Sequence, residues 1–173
     1  MKIRQLIYSG CLLGAVTFAS CSKNDNELND TDRNFMVMTS ISNTAEVDAA
    51  TLAATKATNV AVKAFAQHMI MEHGMAQTDL KTLGTSVGFA VKDTIDPTHV
   101  ALRMQLSALS GRAFDSAYIY AQSNDHAMTQ TNFQTEQNNG QHKDVKSYAN
   151  TYRPHIDMHK TRADSIATAY FRR

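Results

Sequence analysis

Between Val60 and Leu83 the residues Val62, Phe65, Met69, His73, Ala76, Leu80 and Leu83 recur every three or four positions. That spacing puts them on one stripe of a long amphipathic helix, and a fold built around such a stripe must bury it against other helices. His73 stands in the middle of the stripe, so a titratable ring points where an apolar side chain is expected.

The remainder of the chain fits a helical reading. Its 173 residues include seven Gly and two Pro, too few for a sandwich or barrel rich in turns. The first twenty residues stand apart. Lys2 and Arg4 precede the apolar run Leu6 to Ala19, which is short for a membrane span and has the form of a leader. It ends in Phe18-Ala19-Ser20-Cys21, which resembles a bacterial lipobox; by that resemblance Cys21 begins the mature chain and carries a lipid, anchoring it to a membrane. Cys11 is lost with the leader, which leaves no disulfide or thiolate site in the domain. Without Lys2 and Arg4 the chain has 15 basic and 16 acidic residues. That near-neutral balance offers no basic patch for nucleic acid. A protein or a small ligand is the remaining class of soluble partner.

In chain order, residues 21–34 are polar and read as a flexible tether. The domain spans 35–171. Helix one runs from about Phe35 to Lys56, with Phe35, Met38, Ser42, Ala45, Ala49 and Leu52 inward and Glu46 beside that line. Thr58-Asn59 turns the chain directly into helix two. Asp96-Pro97 caps a short extra helix that ends at Ser110-Gly111. Helix three runs from about Arg112 to Gln137, and Gly140 suits a left-handed cap. Helix four, from about His142 to Phe171, has Val145, Tyr148, Tyr152, Ile156, His159, Ala163, Ile166 and Tyr170 in line, with Pro154 expected to kink or split it. The expected architecture is an all-α, up-down-up-down four-helix bundle with a short extra helix between helices two and three. Glu72-His73-Gly74-Met75-Ala76-Gln77-Thr78 is echoed by Asp125-His126-Ala127-Met128-Thr129-Gln130-Thr131. The echo suggests that helices two and three hold equivalent histidines at equal depth.

Counting residues from the turns puts Glu46 and His73 within about 5 Å of one level, and His126 and His159 within about 7 Å. One polar residue per helix can therefore meet in one layer. Neutral imidazole and carboxylate suit a divalent metal such as zinc, iron or copper; the same groups can also form a hydrogen-bonded layer that fixes helix register without any ion. Both readings remain open at this stage. The chain has no Glu-x-x-His and four Glu in all, one of them Glu27 in the tether, which excludes the usual dinuclear carboxylate site of helix bundles. His155-x-x-x-His159 places two imidazoles on one face. The Met- and His-rich run His68 to Met75 offers soft ligands of the kind copper takes. His99 and His142 sit at helix starts and read as solvated. No phosphate loop, nucleophile elbow or triad is present, and nothing in the sequence marks an enzyme.

Three groups of residues together resemble a known family: Glu46-Val47 with Val62 to Met69 and Glu72-His73; Gly111 to Tyr118 followed by Asp125-His126; and Pro154 followed by His159. They are similar to a family of predicted bacterial outer-membrane or periplasmic proteins classed as a domain of unknown function with a ferritin-like bundle. The likeness covers about Asn34 to Ala169. It implies a ferritin-like four-helix fold, an envelope location facing the periplasm or the cell surface, and no established activity. The expected roles are a binding or interaction module, a metal-binding bundle, or a structural or stress-related envelope protein. Glu46, His73, His126 and His159 are the candidate ligands, with Glu72, Asp115, Asp125 and His155 as accessory positions.

Overall fold

A computed structural model of the chain describes residues 24–172. Among the described residues all regular structure is helical: α1 Asp30–Lys56, α2 Val60–Ser86, α3 Pro97–Ala108, α4 Gly111–Asn139 and α5 Lys143–Tyr170. Four of the helices are long. Each begins on a side chain or turn that ends the preceding segment: Asn59 Oδ1 accepts from Ala61 N and Val62 N at the head of α2, and Asp96 accepts from His99 N with Pro97 in the first turn of α3.

Helix α1 packs on α2 and α4, and α5 packs on α4 and α2, so the four long helices form a square. Their directions follow from the corners. Asp32, in the first turn of α1, accepts hydrogen bonds from Gln141 N and His142 N in the α4–α5 turn. Asp115, in the first turn of α4, accepts from Thr58 N, Thr58 Oγ1 and Asn59 N in the α1–α2 turn. Helices α1 and α5 therefore run one way and α2 and α4 the other. The up-down-up-down order expected from sequence is replaced by up-down, a long crossover, then down-up. Residues 87–110 make that crossover, and α3 climbs beside α1: Arg103 donates to the Asp48 carbonyl and carboxylate, and Lys56 Nζ reaches the Leu106 and Ser107 carbonyls. The physical reason is length. Twelve helical residues rise about 18 Å, and extended residues add about 3.3 Å each, so the linker can traverse the bundle instead of turning at one end.

The core divides into two apolar clusters. One holds Ala50, Ala53, Phe65, Met69, Leu106, Phe114, Tyr118, Ile119 and Ala163 toward the α1–α2 turn. The other holds Phe35, Met36, Leu80, Phe133, Val145, Tyr148 and Ile156 toward the α4–α5 turn. Between them lies a polar layer.

Several expectations are corrected. Phe35, Ala45 and Ala49 are buried on α1 as expected, but the inward face also takes Asp32, Met36, Thr39, Ser40, Asn43, Glu46, Ala50 and Ala53 in place of Met38, Ser42 and Leu52. Met38 is 51% exposed, whereas Met36 is fully buried. Polar residues at inward positions weaken the apolar pattern and displaced the expected phase. The part of the tether that is described, residues 24–34, is tied down. Asn29 and Asp32 form a capping box that starts α1 five residues before Phe35, and Lys143 N donates to the Asp25 carbonyl. Pro154 lies inside α5, which continues unbroken across it. Gly140 has φ −61°, not a left-handed value. A Cβ there would come within 2.6 Å of the Glu136 carbonyl and into its carboxylate, so glycine is needed for room. His142 is buried and caps α5 through its ring, accepting from Asp144 N, where a solvated ring was expected. Cys21 and the leader lie outside the described residues.

Candidate metal centre

At mid-height of the bundle His73 of α2, His126 of α4 and His159 of α5 are each at most 2% exposed. Their ring nitrogens converge. His73 Nε2 lies 3.4 Å from His126 Nε2, and His126 Nε2 lies 3.3 Å from His159 Nδ1. One nitrogen from each ring falls within 4.8 Å of the other two.

The partners on the far side of each ring place the protons. Asn43 Nδ2 donates to Gln77 Oε1, which turns Asn43 Oδ1 toward His73 Nδ1 at 3.0 Å. His73 therefore carries its proton on Nδ1. His126 Nδ1 faces the Gln122 carbonyl at 2.8 Å, an acceptor only, so it too is the protonated nitrogen. His159 Nε2 lies 3.2 Å from the Glu72 carboxylate and donates to it. By these partners the unprotonated nitrogens are His73 Nε2, His126 Nε2 and His159 Nδ1, which lie within 4.8 Å of one another. Protonation does not relieve their repulsion cheaply. Burial, and then neighbouring His126 and His159, hold His73 well below the imidazole range. Burial holds His126 down to about 4. Burial and then His126 depress His159, against the pull of Glu72.

The remaining sequence candidates take other places. Glu46 is buried on α1, but its Oε1 approaches His126 Nδ1 at 3.6 Å, behind the ring and away from the convergent nitrogens. Its carboxyl is pushed up to about 8, first by burial and then by Asp125. Glu46 Oε2, Tyr118 OH and Gln122 Oε1 have no hydrogen-bond partner among the described residues. Glu72 accepts from both His159 Nε2 and His155 Nδ1, the latter at 2.7 Å, so His155 and His159 converge on its carboxylate. Burial raises the Glu72 carboxyl, but the hydrogen bond from His155 and the nearby histidines outweigh it and leave the carboxyl lowered. Asp115 caps the α1–α2 turn at the end of the bundle and takes no part in the layer. Asp125 lines a cavity of about 290 Å³ with Met38, Ile41, Asp96 and His99 on the α1–α4 side, where burial raises its carboxyl. Asn43 and Gln77 fix the His73 tautomer through their side chains and were not singled out from sequence, whereas Gln122 fixes that of His126 through its main-chain carbonyl. The usable signal was the spacing of Asn43 from Glu46, one turn apart on the inward face.

A small cavity of about 10 Å³ on the α2–α5 side is lined by Glu72, His155 and Tyr152 together with His73 and His159. It has room for a single water or ion and for no larger molecule.

Residues 18–166 match the family profile described as "Domain of unknown function (DUF4142)". The chain belongs to this family. Among curated proteins none matches the chain significantly. The DUF4142 bundle also superimposes on the crystal structure of a DUF305 fragment from Deinococcus radiodurans, with a TM-score of 0.73 and 10% sequence identity over 83% of this chain and 99% of that one. At that identity the likeness concerns the fold.

Proposed function

We propose that this DUF4142 chain is a lipid-anchored, ferritin-like bundle of the bacterial cell envelope that binds one zinc-class divalent cation through His73 Nε2, His126 Nε2 and His159 Nδ1. The observation that carries the reading is the convergence of three unprotonated ring nitrogens. Tetrahedral zinc with bonds of about 2.0–2.1 Å holds its ligand nitrogens about 3.3–3.4 Å apart. Two of the three nitrogen pairs here are 3.4 and 3.3 Å apart, and the third lies within 4.8 Å. Three neutral imidazoles favour borderline cations such as zinc or copper over magnesium or calcium, which prefer oxygen. Asn43, the Gln122 carbonyl and Glu72 are the outer partners that orient such ligands and raise their basicity. The single long crossover supports the ferritin-like topology. The Phe18-Ala19-Ser20-Cys21 run supports lipidation, an outer-membrane location and contact with the membrane through the lipid.

Calorimetric titration of the metal-free protein, purified without a histidine tag, tests the cation. One equivalent of zinc should bind, calcium and magnesium should not, and His126→Ala should bind none. Equal binding by wild type and His126→Ala refutes the site. His73→Leu separates this reading from a layer that only fixes register. Loss of zinc binding with retained fold is expected, whereas a wild-type melting temperature indifferent to zinc and copper leaves only the register role. For the anchor, Cys21→Ala should release the protein from membranes.

A further inference from the structure

The buried histidines are not the only group able to hold an ion. On the α2–α5 side His68 Nε2 lies 3.6 Å from Glu72 Oε1, and Glu72 Oε2 lies 3.2 Å from His159 Nε2. His68, Glu72 and His159 each offer a ligand atom within 4.8 Å of the others. His155 Nδ1 adds a donor 2.7 Å from the same carboxylate. The two groups share one residue, His159, and use its opposite nitrogens: Nδ1 faces His126 inside, and Nε2 faces Glu72 outside.

We infer that His68, Glu72 and His159 Nε2 form a loading port through which a divalent cation reaches the buried site, crossing from one side of the His159 ring to the other. This rests on the three-histidine reading of the inner site. Exposure falls along the path, from 44% at the His155 side chain to 22% at His68, 20% at Glu72 and 2% at His159. A cavity of about 10 Å³ is lined by Glu72 and His155 of the outer group and by His159 and His73 of the inner one. Glu72 is the carboxylate among the residues that line the cavity, and a charged group in a narrow mouth concentrates cations and speeds their capture.

The chemistry of the shared ring makes the port a transit site. A neutral imidazole has one unprotonated nitrogen. An ion in the port takes Nε2, and Nδ1–H then points at His126 Nε2, 3.3 Å away. An ion inside takes Nδ1, and Nε2–H then donates to Glu72. Each tautomer has its acceptor in place. As the ion moves inward, Nδ1 gives its proton to water and Nε2 takes one from water beside Glu72, so the ring ends with one proton and the transfer releases none on balance. Both positions cannot be filled at once by a neutral ring, which fixes the capacity at one ion per chain.

The test is the rate of zinc uptake by the metal-free full chain in stopped flow, and of its release to a chromogenic chelator, for wild type, His68→Ala and His155→Ala. Neither residue is one of the three inner ligands. His68→Ala should slow uptake and release alike, on the order of tenfold, with the equilibrium affinity kept within about threefold and one ion bound at saturation. His155→Ala should slow both steps by less. Unchanged rates in both variants overturn the port, as do two equivalents of zinc bound per wild-type chain. If His68→Ala abolishes affinity while His126→Ala retains it, the ion rests at the outer group and the port is refuted. Failure of wild type to bind zinc at all is a failure of the inner site itself, read from the equilibrium titration before any rate is measured.

Discussion

His73 shows how one residue couples packing to chemistry. Its ring fills core volume and presents a bare Nε2 because Asn43 holds the proton on Nδ1. His73→Ala opens a cavity and leaves Asn43 Oδ1 without its donor, so the metal-free protein should lose about 2–4 kcal/mol in a urea melt. His73→Leu refills the volume and should cost less, while both abolish zinc binding. A Leu variant as unstable as Ala would mean that the polar contact, not the volume, dominates. Glu46 gives a second prediction. Its carboxyl, pushed up to about 8, stays protonated in the fold at pH values where the unfolded chain has already ionised. A raised carboxyl pKa contributes stability that is lost as pH rises from the ordinary value of about 4.5 toward 8. Between pH 6.5 and 8 the share of Glu46 is about 1.5 kcal/mol, because the slope of about 1.36 kcal/mol per pH unit falls to half as pH reaches 8. Glu46→Gln keeps the shape of the neutral acid and should remove that share. An identical alkaline decline in the variant would show that Glu46 ionises normally. The histidines of the layer were legible because each interrupts an apolar stripe. Asn43 and Gln77 were not, because an amide on a helix of mixed composition looks the same whether it faces water or the core, and the Gln122 contact to His126 is made by a main-chain carbonyl that any residue would supply.

At the level of helices, the corner where α1 starts and α4 turns into α5 was the least legible part of the fold. The stretch before Phe35 has one large apolar residue, Leu28, and so reads as solvated chain. Its order comes from backbone hydrogen bonds collected by Asp32, which is fully buried and accepts from Asn29 N, Gln141 N and His142 N. Hydropathy is blind to a carboxylate used in this way. The direction of α4 was missed for a related reason: residues 87–110 carry the turn signals Gly88 and Asp96-Pro97, which mark breaks but not the distance travelled between them. Helix existence, by contrast, followed from apolar spacing alone, and α2 and α5 hold their expected inward residues except for Leu83 and Tyr152, which are partly buried, and the exposed Tyr170. Gly140 supplies the prediction for this corner. An alanine Cβ would crowd both the carbonyl and the carboxylate of Glu136, so Gly140→Ala should cost about 1–3 kcal/mol. In a Glu136→Ala background the carboxylate contact is gone, and the cost should fall by about half or more in a double-mutant cycle. Strict additivity would place the clash on the backbone carbonyl alone.

Across the whole molecule, the polar layer cuts the apolar core in two, with Phe65, Phe114 and Tyr118 on one side and Phe35, Phe133 and Tyr148 on the other. The repeated Asp/Glu-His-x-Met pattern is the sequence trace of this plan. His73 and His126 meet at the axis, while Met75 and Met128 both stand exposed. The acids beside the two histidines face opposite seams, Glu72 toward α5 and Asp125 toward the α1–α4 cavity. A cation at the axis would bind α2, α4 and α5 together at the level where apolar contact between the halves is interrupted. A ligand present at a thousandfold excess over its Kd adds about 4 kcal/mol to folding. For a domain of this size that corresponds to roughly 8–16 °C in Tm. Zinc should therefore raise the melting temperature of wild type by that order, reversibly on chelation, and should leave His126→Ala and His159→Ala unchanged. Hydrogen exchange should locate the gain. Amides of α2, α4 and α5 near His73, His126 and His159 should slow in zinc more than those at the α1 N-terminus, whose hold is the Asp32 corner at the far end of the bundle. A rise in Tm shared equally by the two histidine variants, or protection confined to the exposed side of α2 and α5 around His68 and His155, would place the ion elsewhere than the axis.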